Sequence, residues 1–360
     1  MVSAITPPNP GFSFTRLKGE GLELERAITV DILGLLTLPI RALVEDRRWE
    51  QAKLQTANQV FKIAAETRTA YYDAVAAEQL LAYTEQIKLA AEASAEMARR
   101  LGQTGAYSRM QQAREHAFYS DIMGKVVRAR QSAASKRERL IRLLGLWGER
   151  TAFKLPQKLP DLPKSLSEQG DIEAKAITQR LDIRIAKLEV EGLARSYGLT
   201  QATRFINVLE GGVQDRREKG VPRAKGYEIQ ISVPIFDFGT TAVAHAENTY
   251  LQAVNHLQET AVNARSEVRE SYENWRLNYD LAQHYQQNIV PTRSLIAEEQ
   301  LLHYNGMLVG VFELLADARE QITSVMEAIE AQRDFWISDA ELQVAMLSGN
   351  GFSMKKEAAE

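Results

Sequence analysis

Residues 226–239 have the sequence GYEIQISVPIFDFG, a stretch that differs from everything around it. Within it the apolar residues Tyr227, Ile229, Ile231 and Val233 alternate with the polar residues Glu228, Gln230 and Ser232. A period of two is typical of a β-strand with one apolar and one polar face. The chain before and after it shows the spacing of long helices. The sequence therefore predicts a two-faced strand in a largely helical protein, and something must cover its apolar face.

The composition is that of an ordered protein without an excess of positive charge. The chain has 360 residues, of which 45% are hydrophobic and 25% charged, enough for one large or two ordinary domains. A formal net charge of -3 and a pI near 6.1 show no general basic field, so nucleic acid is not expected as a partner. Cysteine is absent, which excludes disulfides, thiolate metal sites and a lipid-anchored cysteine within this sequence.

The start of the chain carries neither a membrane helix nor a signal peptide. The apolar run ILGLLTLPI at 32–40 contains Pro39 and is about half of the ~20 residues that a membrane-spanning helix needs. The first residues lack the basic and apolar regions of a secretory signal. We therefore expect either that the protein stays inside the cell or that its natural start lies further upstream.

An internal repeat is the main organising feature of the sequence. Identical residues recur in order at a constant offset, in the pairs Ala52 and Ala253, Glu66 and Glu267, Arg68 and Arg269, Tyr71 and Tyr272, and Gly105 and Gly306. Fixed-period similarity is typical of one structural unit used twice. Each copy is predicted to contain two strands, a proline (Pro39 or Pro234), a long helix, a glycine turn and a return helix.

The predicted segments follow from this repeat. They are a first β-hairpin at 1–39, a long helical hairpin at 40–148, a Pro-rich linker at 149–172, a helix at 173–203, a second β-hairpin at 204–238, a second helical hairpin at 239–350 and a tail at 351–360. We expect the return helices at about 107–144 and 309–347.

The long helices show coiled-coil spacing with small residues at the seam. Apolar residues recur at intervals of three and four at Val243, Ala246, Tyr250, Ala253, Leu257, Ala261, Ala264, Val268, Tyr272 and Trp275. The pattern continues to about Gly306, interrupted once by Pro291. A helix of roughly 60 residues would be about 90 Å long at ~1.5 Å per residue, longer than an ordinary globular domain.

Four strands attached to such helices lack a core of their own. An isolated sheet would expose its apolar face and two edges. If the apolar face meets lipid, free edges are not tolerated, so the sheet has to close into a barrel of about eight strands or more. A chain with four strands must then oligomerise.

Four stretches in this chain match the pattern of a known family. They are RLDIRIAKLEVEGLA (180–194), similar to an Arg-Pro-Asp-rich helix before the second hairpin; YEIQISVPIFDFG (227–239), similar to a strand ending in a Pro-Phe-Asp-Gly turn; YNGMLVGVFELLADARE (304–320), similar to a Tyr-x-Gly tip followed by Leu-Leu-Asp-Ala; and LLGLWG (143–148), which closes the first copy. In this order they resemble the TolC-like outer membrane efflux proteins over nearly the whole chain. Leu181 stands where the family usually has Pro.

The resemblance implies a mainly α-helical fold with a small β part. Three chains would each contribute four strands to a 12-stranded transmembrane β-barrel, and the long helices would continue it as a periplasmic tunnel. The implied function is a passive exit duct of a tripartite efflux or type I secretion system, not an enzyme, and without a cofactor. The implied partners are two further copies in a homotrimer, a periplasmic adaptor (membrane fusion) protein, an inner-membrane pump of RND or ABC type, and outer membrane lipid. Because the family begins with a signal peptide and a further helix, the resemblance also implies an N-terminal truncation.

The site residues implied by this resemblance fall into three groups. Glu228, Gln230 and Ser232 are expected to face the barrel lumen. Tyr227, Ile229, Ile231 and Val233 are expected to face lipid. Glu313, Asp317, Tyr304 and Arg109 are candidates for the periplasmic gate. The two carboxylates share one helix face at i, i+4, and threefold symmetry would turn them into rings. Tyr304 aligns with the family's gate tyrosine, and Arg109 lies at the matching tip of the first copy. The alternative is that these four are solvated helix-face charges and a packing tyrosine.

Other chemistry has no clear signal in the sequence. The five histidines, His116, His245, His256, His284 and His303, lack metal-ligand spacing, so no metal site is predicted. Phosphate-binding loops, nucleophile elbows and zinc-protease motifs are also missing. The competing hypothesis is a cytoplasmic coiled-coil scaffold or membrane-bending protein, which explains the heptads and the missing signal peptide but not the paired strands.

Overall fold

The computed structural model describes residues 6–18, 22–166, 170–218, 220–306 and 308–349, so the predicted tail at 351–360 lies outside the described residues. In chain order the elements are β1 (Gly11–Lys18), β2 (Leu22–Asp31), α1 (Ile32–Gln103), α2 (Arg109–Leu144), α3 (Ile172–Gln179), α4 (Leu181–Thr203), β3 (Val208–Glu218), β4 (Ala224–Ser232), α5 (Thr240–His284), α6 (Val290–Asn305) and α7 (Val311–Leu347). Two strands, a long helix and a return helix thus occur twice, which confirms the predicted repeat.

The chain forms two compact units. One consists of Met1–Asn58 and Gln179–Asn263, and it contains the sheet and α4. The other consists of Gln59–Thr178 and Ala264–Glu360, and it contains the turns at which each long helix reverses. Both units are built from both copies of the repeat, so neither copy folds as a domain of its own.

The four strands form one antiparallel sheet in the order β1-β2-β3-β4. Each copy contributes one hairpin, and the two hairpins join through β2 and β3, where for example Ile28 pairs with Val213. The outer strands, β1 and β4, each have one neighbour within the chain. The sheet is therefore open, with a free edge on each side.

The first long helix begins earlier than the sequence predicts. It starts at Ile32 rather than at about residue 40, so Pro39 lies inside α1, whereas Pro234 lies in the loop after β4. The Asp31 carboxylate accepts a hydrogen bond from the Gly34 N–H at 2.8 Å and so satisfies a free donor at the helix start. Periodicity cannot distinguish strand from helix in a short apolar run, which is why the boundary was predicted wrongly.

Two further boundaries differ from the sequence prediction. The first strand of the second hairpin, β3, begins at Val208 rather than at residue 204. The predicted helix at 173–203 is two helices, α3 and α4, which are separated at Arg180.

Close contacts between α1 and α2 explain the small residues at their seam. Ala70, Ala74 and Val75 of α1 are fully buried. Ile87 and Ala91 of α1 pack against Ile122 and Val126 of α2 in one apolar cluster. Small side chains allow two helix backbones to approach each other, and their burial stabilises the hairpin.

In the second copy the predicted seam faces inwards. Ala253, Ala264, Val268 and Trp275 of α5 are buried. A π-helical turn, Tyr285–Ile289, separates α5 from α6, and Pro291 is the second residue of α6. Proline lacks an N–H and cannot donate the backbone hydrogen bond of a regular α-helix. The wider π-helical turn lies where this hydrogen bond would be missing. The predicted interruption is thus a local change of helix type.

The Pro-rich linker is held to the helices by side-chain hydrogen bonds to its backbone. The Tyr279 hydroxyl donates to the Pro163 carbonyl at 2.8 Å, and the Trp336 indole donates to the Pro160 carbonyl at 2.9 Å. The amide oxygen of Gln79 accepts from the Leu159 N–H at 3.0 Å. These bonds connect the linker to α1, α5 and α7 within one unit, so the linker is part of the packed structure.

Across the part of the chain that the structure describes, no helix combines the length and the apolar character that crossing a membrane would require.

Candidate functional site

The strand register separates the predicted residues of β4 onto two faces. Side chains alternate along a strand, so Tyr227, Ile229 and Ile231 lie on one face, and Glu228 and Gln230 lie on the other. Tyr227 is 82% exposed, and Ile229 and Ile231 are also largely exposed in the single chain. Ser232 is half-buried at the end of β4, and Val233 lies just beyond it. The strand residues of the two predicted sets therefore lie on opposite faces of β4.

The apolar face continues across the whole sheet. The register aligns Phe12 with Ile28, Ile28 with Val213, and Val213 with Tyr227 in one row that crosses all four strands. All of these side chains are exposed. An exposed apolar patch of this size normally marks a surface that meets another molecule or a membrane. Within the described ranges no residue covers this face of the single chain or pairs with the outer edges of β1 and β4.

The opposite face is polar and contains carboxylates that the sequence prediction missed. Gln230 aligns with Glu210, and Glu210 aligns with Asp31. Like charges placed directly opposite on neighbouring strands are destabilising, so the alignment of Glu210 with Asp31 is unfavourable by itself, although Asp31 also caps the start of α1. Only the pairing of β2 with β3 reveals this pair, because the two residues are far apart in the sequence.

The turn from β4 to α5 uses the Pro-Ile-Phe-Asp-Phe-Gly sequence. The Asp237 carboxylate accepts a hydrogen bond from the Gly239 N–H at 3.0 Å. This bond, together with a bond from Thr241, lowers the pKa of Asp237. Gly239 has a φ of 71°, a conformation that favours glycine. The motif therefore redirects the chain sharply from strand to helix.

The candidate gate residues Tyr304, Glu313 and Asp317 lie beside the turn between α6 and α7. Tyr304 is half-buried near the end of α6. Glu313 is exposed in the first turn of α7, where a negative charge interacts favourably with the helix N-terminus. Asp317 follows one turn later and is half-buried. Among the described residues, neither carboxylate makes an ion pair or side-chain hydrogen bond.

Arg109, the fourth candidate, is the first residue of α2 and is exposed. Ser108 caps this helix, with its hydroxyl accepting from the Gln111 N–H at 3.3 Å. Cations are unfavourable at helix N-termini, so Arg109 does not stabilise α2. The described residues show no contact between Arg109 and either Glu313 or Asp317.

Tyr107 and Glu115 form part of the same region and were not predicted. Burial raises the pKa of Tyr107, and the nearby Tyr304 and Glu115 raise it further. Glu115 is 2% exposed, and the Ser94 hydroxyl donates to one of its oxygens at 2.9 Å. Its other oxygen has no hydrogen-bond partner among the described residues. The turn after α1 and the turn after α6 therefore lie close together. Tyr107 and Tyr304 lie near each other there, and the buried Glu115 carboxylate is close to Tyr107.

The motif before the second hairpin forms an ion pair whose arginine is buried. The Arg180 side chain is 2% exposed and donates to the Asp182 carboxylate at 2.6 Å. Arg180 has an extended backbone, with ψ at 130°, and Leu181 is the first residue of α4. A residue that precedes proline favours this conformation, and the first helical position accepts proline. Leu181 therefore occupies a position where the family's proline would also fit.

Comparison with known proteins supports the fold. No protein-family model matches the chain, and no curated protein matches it by sequence. It is similar in structure to the CmeC outer membrane channel of Campylobacter jejuni, with 14% identity, a TM-score of 0.78, and coverage of 99% of this chain and 82% of that one. It is also similar to the outer membrane protein VceC of Vibrio cholerae, with 15% identity, a TM-score of 0.79, and coverage of 97% and 89%. A membrane protein of Pseudomonas aeruginosa gives 15% identity, a TM-score of 0.81, and coverage of 96% and 85%. The chain therefore has the TolC-like fold of the outer membrane channels.

Proposed function

We propose that this protein is the outer membrane exit duct of a tripartite efflux system, which opens a passive path from the periplasm to the outside. The observation that carries this proposal is the open four-stranded sheet, which has an exposed apolar face and two free edges. The sheet is joined to long paired helices. Neither the exposed apolar face nor the free edges are tolerated by an isolated sheet in water. Both are resolved if the sheet lies in lipid and closes with other copies.

Three copies would close the barrel. Since the strands alternate in direction, β4 of one copy can pair in antiparallel fashion with β1 of the next. Three sheets of four strands then form a 12-stranded barrel, large enough to leave an open lumen. Tyr227, Ile229, Ile231 and Val233 would face outer membrane lipid, while Glu228, Gln230 and Ser232 would line the lumen.

The helix turns are the proposed periplasmic gate. Threefold symmetry would place Glu313 and Asp317 in rings, and acidic rings favour the passage of cations. Tyr304 and Arg109 would lie at the same level, at the helix turns of their respective copies. A periplasmic adaptor and an inner-membrane pump of RND or ABC type would dock at this end. In a passive duct the pump selects the substrate, so efflux and type I secretion are both compatible with the chain.

The alternative is a cytoplasmic coiled-coil scaffold. It accounts for the buried seams of α1 and α5 equally well. It gives no role to the exposed row from Phe12 to Tyr227, which would be an aggregation hazard in the cytosol. The sheet therefore favours the duct.

Two substitutions at neighbouring positions of β4 test the proposal. Ile231→Asp adds a charge on the apolar face, and Ser232→Asp adds the same charge on the polar face, opposite the uncharged Val208. With the chain exported behind a signal peptide, we expect Ile231→Asp to abolish heat-modifiable trimers in the outer membrane fraction, because a carboxylate in hydrocarbon is costly. The matched control, Ser232→Asp, should assemble normally. Normal assembly of Ile231→Asp, or a soluble cytosolic dimer of the unmodified chain, would refute the duct.

A further inference from the structure

The apolar face of the sheet ends in a group of positive charges on the side of the hairpin turns. The register places Arg26, Asp215 and Lys225 in the row next to the one that runs from Phe12 to Tyr227. The following row contains Arg16 and Arg217. Consecutive rows on one face are about 7 Å apart along the strands. These charges therefore lie roughly 7 and 14 Å beyond the last complete apolar row.

We call this group the basic rim, and it consists of Arg16, Arg26, Arg217, Arg223 and Lys225. Arg223 belongs to it because its guanidinium donates to Asp215 at 2.7 Å. All five side chains are exposed. Asp215 is the one carboxylate on this part of the described face. The rim is thus strongly positive in a chain whose formal net charge is -3.

Contacts within the sheet leave most of this charge uncompensated. Arg223 is paired with Asp215, and Arg26 lies over the Phe14 ring at 6.0 Å. Among the described residues, Arg16, Arg26, Arg217 and Lys225 have no ion pair. Four cations per chain, or twelve around a trimer, would repel one another unless an anion lies between them.

From this arrangement we infer that the basic rim binds the phosphate groups of anionic lipids in the leaflet next to the hairpin turns. The inference rests on the proposed function, since it requires the apolar face to lie in a bilayer. In that position the aromatic rings of Phe12 and Tyr227 lie at the membrane interface. The cations one and two rows beyond them lie at the depth of the headgroups, where Lys and Arg attract anionic lipid by about 1 kcal/mol each. The partner is therefore lipid phosphate rather than an acidic protein.

A triple variant tests the inference. Arg16→Gln, Arg217→Gln and Lys225→Gln together remove three of the four cations that lack an ion pair and leave Arg26 on Phe14 and Arg223 on Asp215. The matched control is Arg150→Gln, Lys158→Gln and Lys164→Gln, which removes three exposed cations from the region of the linker. Each trimer is placed in bilayers of phosphatidylcholine that contain spin-labelled phosphatidylglycerol or spin-labelled phosphatidylcholine. Electron spin resonance then gives the ratio of their association constants at the protein surface.

We expect the unmodified protein and the control to prefer phosphatidylglycerol by roughly fivefold, since one cation near the surface changes the association constant by about that factor. The triple variant should show nearly equal binding, and high salt should reduce the preference of the unmodified protein. An unchanged preference in the triple variant, or an equal loss in the control, would overturn the inference. If no lipid is immobilised at the protein surface in any sample, the sheet is not in the bilayer and the proposed function fails as well.

Discussion

Individual residues determine how the strand is joined to the helix after β4. Asp237 and Gly239 form a hydrogen-bonded turn, and the positive φ of Gly239 allows the sharp change of direction. A Cβ atom at position 239 would lie 2.3 Å from the carbonyl oxygen of Arg204. The sequence indicates a turn at this glycine, but only the structure shows that backbone from the end of α4 lies against it.

Gly239→Ala is therefore expected to destabilise the protein. The left-handed conformation costs a non-glycine residue about 1–3 kcal/mol, and the contact with the Arg204 backbone adds to this. The measurement is the temperature at which trimers dissociate in detergent, followed by gel electrophoresis. The control is Gly192→Ala, at a helical glycine with nothing within 4 Å of the added Cβ, which should be neutral or slightly stabilising. Equal dissociation temperatures for the two variants would contradict the role of this turn.

At the level of elements, the α1–α2 hairpin is held by ion pairs that differ in burial. The Asp73 side chain is 9% exposed and lies 2.7 Å from the Lys136 ammonium and 3.7 Å from Arg139. The Glu85 side chain is 48% exposed and lies 2.9 Å from Arg130. Both pairs join α1 to α2. Comparing them therefore shows how burial changes the contribution of an ion pair to stability.

Asp73→Asn should cost about 1–3 kcal/mol, because a hydrogen bond to a buried charge is lost while two cations stay nearby. Glu85→Gln should cost about 0–1 kcal/mol, because solvent screens the exposed pair. The midpoint of thermal helix loss, measured by circular dichroism for the full chain in detergent, compares the two. If Glu85→Gln lowers this midpoint as much as Asp73→Asn does, burial is not what makes the Asp73 pair important.

At the level of the whole molecule, the proposed duct needs neighbouring copies to pair with the edges of β1 and β4. Sheet order and strand direction allow β4 of one copy to meet β1 of the next, with polar faces on the same side. The chain has no cysteine, so introduced thiols can report this contact without background.

We expect cysteine cross-linking to show a closed trimer. Ser13→Cys on the polar face of β1 is combined in turn with cysteine at Gly226, Glu228 or Gln230 on the polar face of β4. Mild oxidation should yield covalent species of two and three chains and nothing larger, at one of these positions. The control replaces Ser13→Cys by Phe14→Cys, which points to the opposite face and should not cross-link. A ladder beyond three chains would indicate an open assembly rather than a barrel.

The sequence by itself determined the repeat, the two-faced strand and the helical hairpins, because these depend on periodicity within short segments. It also indicated that the apolar face of β4 needs a cover. It did not determine the start of α1 at Ile32, since a run of apolar residues suits both strand and helix. Nor did it reveal the alignment of Glu210 with Asp31, the approach of Tyr107 to Tyr304, or the basic rim. Each of these joins residues from different elements, and only the tertiary structure brings such residues together, since strand register and helix packing are set by the whole chain.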